Sequence, residues 1–178
     1  TLPVVIALFL AEAVQAQHDL QLKFPVNPTG FYTNVSFSND SKLILFSENS
    51  RSYLADAATF RTVADFKGTT ESILSNDDRY ILLCYENKVE AWEVATQRSV
   101  YSYRFPEHRR LHKAAFSGNG QYIVMVLSEG FPVEWKLLTI DLQLKQEVSN
   151  ATLQLSYPFM VAGNRGSTVA FYGFAGRA

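Results

Sequence analysis

The sequence predicts an all-β fold, a β-propeller of four-stranded antiparallel blades, with about three and a half blades present in this chain. Three observations carry that prediction. One segment recurs three times at spacings of 37 and 42 residues, and each copy joins short apolar runs through Asn, Asp and Gly. No stretch shows the long 3.6-residue periodicity of an amphipathic helix. Periods near 40 residues belong to propeller blades and to helical arrays, and the missing helical periodicity selects the blades.

Composition agrees. The chain has 178 residues, 47% apolar and 19% charged, which suits one globular domain with a sizeable core. Thirteen Phe and nine Tyr favour pleated, half-buried surfaces. Sixteen Lys+Arg against 17 Asp+Glu leave a formal charge of −1, so no global field draws in nucleic acid or an anionic membrane. Nucleic acid is therefore not an expected partner. The single cysteine, Cys84, excludes an intrachain disulfide. It lies in the apolar run ILLCY and reads as a buried, inert thiol.

The first element is a leader. Leu2 to Leu10 is an unbroken apolar run of nine residues. As helix it would extend about 14 Å, less than half of a bilayer core of about 30 Å. Small residues follow, with Val14 and Ala16 at the −3 and −1 positions of a cut before Gln17. Residues 1–16 thus read as a signal peptide, and packing of the run on the domain is the alternative. Export to the periplasm or the extracellular space is expected, with no integral membrane segment after cleavage. The chain opens on Thr1 and stops within an unfinished pattern, so it reads as a piece of a longer frame.

Residues 17–178 form the expected partial propeller, with blades at approximately 31–66, 70–105, 112–149 and 153–178. His18 to Phe24 alternates and is expected to supply a strand that latches the ring. The repeat core reads FSNDSKLILF from Phe37, LSNDDRYILL from Leu74 and FSGNGQYIVM from Phe116. An inner strand ends at the serine (Ser38, Ser75, Ser117), a polar turn follows, and a second strand carries the apolar run. A third strand ends in Ala55-Asp56, Trp92-Glu93 or Ile140-Asp141, and a shorter, more polar fourth completes the unit. The third copy is six residues longer, an insertion expected to lengthen the hairpin loop Ser128 to Trp135. A fourth copy begins near Leu155. One such sheet leaves both faces apolar, and only neighbours stacked around an axis bury them.

FSNDSKLI, FSGNGQYI and VEAWEVAT resemble the WD-repeat β-propellers, whose blades carry a Phe-Ser-Pro-Asp-Gly turn, a Trp-Asp pair and an Ala-Thr-Gly turn. The third copy, with LLTIDL, is also similar to repeats of Tol-type periplasmic propellers. The resemblance covers Phe31 to about Phe174. It departs from the family at Glu93, which stands for Asp, at Ala55 and Ile140, which stand for Trp, and at the Gly-His position. The family's His-Asp-Ser-Trp network is therefore not assembled in any one blade, and stability must rest mostly on apolar burial between sheets.

His108, Arg109 and Arg110, within HRRLHK, are candidate partner contacts; this cluster is expected in a solvated loop between blades. Glu129, Phe131 and Trp135, on the long hairpin, are the others. His108 and His112 are four apart, but no carboxylate set accompanies them, so no metal is assigned. No Gly-x-Ser-x-Gly, His-Glu-x-x-His or phosphate-binding glycine loop appears, and no catalytic residue or cofactor is assigned. Inner-strand positions that would line a channel read Asn34, Thr70-Glu71 and His112-Lys113, which is not a consistent ligand set. Tyr85, Trp92, Tyr101 and Tyr103 are expected to pack between blades. Asn34-Val-Ser, Asn39-Asp-Ser and Asn150-Ala-Thr match the N-glycosylation acceptor pattern for a chain on a eukaryotic secretory route.

The resulting expectation is an exported, non-catalytic interaction module. It would bind a protein, peptide or glycan through rim loops or the channel. The alternatives are the recognition domain of a larger enzyme, such as a protease, or a propeller enzyme of quinoprotein or lactonase type.

Overall fold

A computed structural model describes residues 32–154, 156–162 and 169–174. The expected leader and the latch strand His18–Phe24 lie outside the described residues. The first blade is β1 (Tyr32–Phe37), β2 (Leu43–Glu48), β3 (Arg51–Asp56) and β4 (Thr62–Lys67), hydrogen-bonded in chain order. The second is β5 (Glu71–Leu74), β6 (Tyr80–Cys84), β7 (Lys88–Glu93) and β8 (Arg98–Arg104), and the third is β9 (Arg109–Phe116), β10 (Tyr122–Glu129), β11 (Glu134–Asp141) and β12 (Gln146–Leu153). A fourth sheet holds β13 (Ser156–Ala162) and β14 (Val169–Phe174), with β13 beside β9. The fold is all-β: three antiparallel four-stranded blades form an open arc of a propeller, with the inner strands β1, β5 and β9 near its axis.

The repeated serine works the same way in each copy. Its Oγ accepts from the backbone N–H five residues on (Leu43, Tyr80 and Tyr122, each at 2.9 Å). The same hydroxyl donates to the side chain two residues on: Asp40 at 2.8 Å, Asp77 at 2.6 Å and Asn119 at 2.7 Å. The serines are buried, so each satisfied hydroxyl fixes the register between inner and second strand. The turn's fourth residue is left-handed in all three copies, with φ of 57° at Ser41, 58° at Asp78 and 70° at Gly120.

Asp56, Glu93 and Asp141 close the next hairpin. Asp56 accepts from the Thr59 N–H and hydroxyl, each at 2.7 Å; Glu93 accepts from the Thr96 hydroxyl at 2.7 Å; Asp141 accepts from the Gln143 and Leu144 N–H groups at 2.8 and 3.0 Å. A residue with positive φ follows each acid (Phe60, Gln97 and Lys145). The acid at the end of the third strand is thus kept for turn capping, whatever its apolar neighbour.

Alternation of the second strand sends its apolar run to both faces. Ile81, Leu83 and Trp92 pack with Leu45 and Leu54 of the first blade. Leu82, Cys84, Val89 and Ala91 pack with Ile123, Met125, Leu127, Leu138 and Ile140 of the third. Each fully buried side chain of this size contributes about 1.5–3 kcal/mol. Trp92 meets Phe66 edge to face at 5.0 Å, and Tyr101 and Tyr103 pack against the second-to-third cluster. The first two blades are also tied by a buried hydroxyl chain: Thr69–Ser52 at 2.8 Å, Ser52–Ser47 at 2.8 Å and Ser47–Ser72 at 3.0 Å.

Two local expectations are corrected. The insertion in the third copy lengthens strands more than the loop: β10 and β11 pair from Tyr122↔Asp141 to Glu129↔Glu134, leaving residues 130–133 as the connection, against 49–50 and 85–87 in the other blades. Of the residues expected in a loop at Ser128–Trp135, Ser128, Glu129, Glu134 and Trp135 satisfy their backbone by pairing across the hairpin. The basic cluster likewise is not a loop. Arg109 to Lys113 lie in β9, because the longer β10 gives them a partner strand.

Candidate functional site

The starts of the three inner strands open onto one groove of about 870 Å³. Its walls are Asn34 of β1, Thr70 and Glu71 at the start of β5, and Arg109 to Lys113 of β9. The β6–β7 turn (Tyr85, Glu86, Asn87), Arg104 at the end of β8 and the β8–β9 link (Phe105 to Glu107) form the rim. All of these lie at the end of the blades opposite the serine turns.

Two β-bulges shape the walls. Asn34 is the unpaired residue between Thr33 and Val35 in β1, with φ of 54°, a left-handed conformation that Asn tolerates. His112 is the unpaired residue of β9, between Lys113, which pairs with Val126, and Leu111, which pairs with Leu127. Its ring meets Trp135 edge to face at 4.9 Å. The bulges turn both side chains out of the regular pleat.

Asn34 Nδ2 donates to Glu71 Oε1 at 3.5 Å, and Lys113 Nζ donates to the same oxygen at 3.4 Å. One carboxylate therefore bridges three blades. Both contacts are long and partly solvated, so they contribute at most about 1 kcal/mol and are open to exchange for a ligand. Arg104 and Arg110 are exposed, and neither pairs with a carboxylate among the described residues. Lys88 lies 4.4 Å above the Tyr85 ring, whose phenol burial pushes up to about 12, leaving it neutral. Burial also pushes the Cys84 thiol up to about 12, so it is no thiolate. Among the described residues, no group of three or more His, Cys, Asp or Glu is placed to hold a metal.

The six candidate residues do not form one site. Arg109 and Arg110 line the groove. His108 Nε2 and Arg109 Nε converge on Glu129 at 2.8 and 3.2 Å, clamping the base of the β10–β11 hairpin to the start of β9. Burial works to raise the Glu129 carboxyl, and the Arg109 and His108 charges outweigh it and hold it below its ordinary value. Trp135 packs on His112, while Phe131 stands alone at the hairpin tip, 98% exposed. Arg104 and Asn87 carry no site signal in the sequence, and Glu86 reads there as a solvated turn acid. The signal for the ladder was present: Asn34 and Glu71 are 37 residues apart, and Glu71 and Lys113 are 42 apart, the spacings of the repeated serines.

No family model matches the chain, and no curated protein sequence matches it significantly. Solved structures do. An oligogalacturonate lyase from Vibrio parahaemolyticus superposes with a TM-score of 0.63 at 15% identity over 85% of this chain and 49% of that one. The Cps50 (Swd1) β-propeller domain of Myceliophteria thermophila gives 0.56 at 14% over 68% and 44%. The Pan2 WD40 domain of Neurospora crassa gives 0.55 at 15% over 75% and 42%. The chain thus spans less than half the length of each. What it shares with them is the fold, a WD40-like β-propeller.

Proposed function

We propose that the protein is a non-catalytic interaction module that holds an extended, acidic protein segment in the groove at the inner-strand starts. The observation that supports it is the pair of exposed cations without carboxylate partners among the described residues, Arg104 and Arg110, on opposite sides of the β8–β9 link. The blades hold the backbone that carries these groups, so the ordering cost on docking falls on the two side chains and not on the strands. Glu71 can release Lys113 to an incoming carboxylate, because their contact is long and exposed. The reading includes export, supported by the leader at residues 1–16, and a mature N-terminus at Gln17 in secreted material is its check.

The test is fluorescence anisotropy with extended peptide pools, one rich in Asp and Glu, one in Lys and Arg, one uncharged. The acidic pool binds the protein and loses at least tenfold in affinity to Arg104→Glu/Arg110→Glu, with weakening as salt rises. Equal binding by the variant and the parent would remove the groove from the proposal. Turnover of an anionic sugar polymer, blocked by the same variant, would favour the enzyme alternative that the lyase likeness brings in.

A further inference from the structure

We propose that Asn150 carries an N-linked glycan, and that this glycan blunts the outer edge of the third blade. The three acceptor patterns meet different surroundings. Asn39 is engaged: its carboxamide donates to the Asn76 carbonyl and its N–H donates to Asp78 Oδ2 at 2.7 Å, tying the first serine turn to the second. A glycan there breaks that tie. Asn34 faces Glu71 inside the groove, at a bulge with left-handed backbone. Asn150 is different. It lies mid-strand in β12, the outermost strand of its sheet, exposed, with no hydrogen bond to its carboxamide among the described residues.

β12 also needs protection that its own sequence does not supply. Exposed edge strands offer unpaired N–H and C=O groups to other chains, and charges usually blunt them. The outer strands β4 and β8 each carry two or more charged residues, Asp65 and Lys67 in one and Arg98 and Arg104 in the other. β12 reads QEVSNATL, eight residues with Glu147 as its single charge and Val148 46% exposed. A bulky polar glycan at its centre blocks strand addition sterically.

In the transfer, Asn150 Nδ2 attacks the anomeric carbon of a lipid-diphosphate-linked oligosaccharide. The C1–O bond breaks as a C1–N bond forms, the lipid diphosphate leaves, and the amide proton goes to a base of the transferase. The inference rests on the export reading and not on the groove.

The test is expression of the full chain in a eukaryotic secretory host, in one arm behind its own first sixteen residues and in another behind an established leader. Secreted protein is digested with peptide N-glycosidase in heavy-oxygen water, which marks each occupied Asn as labelled Asp. Expected is label at Asn150 and none at Asn39 in the folded product, loss of the gel shift in Asn150→Gln and in Thr152→Ala, and unchanged affinity for acidic peptide in both. The unglycosylated Asn150→Gln protein is expected to self-associate with rising concentration where the glycosylated parent stays monomeric. An unlabelled Asn150 in the second arm overturns the site, and an Asn150→Gln chain that stays monomeric overturns the edge role. Label in the second arm alone upholds the site and sinks the leader.

Discussion

The two ends of the blades differ in kind. At the serine end, the three copies repeat one set of hydrogen bonds: hydroxyl to backbone N–H, hydroxyl to Asp or Asn, and a left-handed fourth residue. At the inner-strand starts no two copies agree. Asn34, Glu71 and Lys113 occupy matching positions with different chemistry, and two of the three strands are bulged there. Repetition at one end follows from the demands of folding, because each blade needs the same register before it can stack. The other end has no such task, which frees it to vary and to present a ligand with unlike groups.

Between the ends lies the apolar interface, which sets the energy scale. Leu138→Ala, at a fully buried position packed between the second and third blades, is expected to lose about 2–5 kcal/mol in urea unfolding. A loss under about 1 kcal/mol would mean that stacking contributes less than the comparison requires. Next comes Gly120→Ala at the serine end. Its φ of 70° costs an L-residue about 1–2 kcal/mol. A Cβ there also stands 2.7 Å from an Asp77 oxygen of the neighbouring blade, so the loss should exceed the backbone cost. Ser75→Ala removes one accepted and one donated bond and is expected to lose about 1–3 kcal/mol. The equivalent Ser38→Ala and Ser117→Ala should match it closely, and unequal losses would break the equivalence of the copies.

Much of this was legible in the sequence because the serine end is written in local code. Ser, Asp, Asn and Gly at fixed offsets specify a turn, and ILLC or YIVM between turns specifies a strand buried on both faces. The strand length of the third blade was not legible. Glu129, Gly130, Phe131 and Pro132 read as loop chemistry, and only the pairing of Ser128 and Glu129 with Trp135 and Glu134 reveals a hairpin. The groove was half visible. The offsets of 37 and 42 relate Asn34, Glu71 and Lys113, but unlike residues at matching positions look like drift until a shared Glu71 oxygen joins them. Arg104 and Arg110 come from the end of β8 and a strand wall, and no local pattern relates them to β1.

Acid should also loosen the capped turns. Asp40 is held down to about 2, chiefly by the Lys42 backbone N–H and the Ser38 hydroxyl. Asp56 is lowered mainly by the Thr59 hydroxyl, and Asp141 mainly by the Leu144 N–H. Carboxyls depressed in the fold stabilise it fully above their ordinary value of 3.8, and that contribution fades as pH falls toward about 2. Hydrogen exchange between pH 5 and 2.5 should therefore show protection falling at the β1–β2 turn and at the turns after Asp56 and Asp141, and also at the start of β9, where the Glu129 carboxyl is likewise held down. Protection unchanged at those turns down to pH 2.5 would contradict that account.

The smallest expected effect on stability is also the most direct test of what the groove is for. Arg104→Glu/Arg110→Glu should unfold within about 0.5 kcal/mol of the parent, since both side chains are exposed and unpaired among the described residues. The same variant should lose at least tenfold in affinity for acidic peptide. Intact stability with lost binding is the result expected of a groove end freed from folding; lost stability, or binding left untouched, contradicts it.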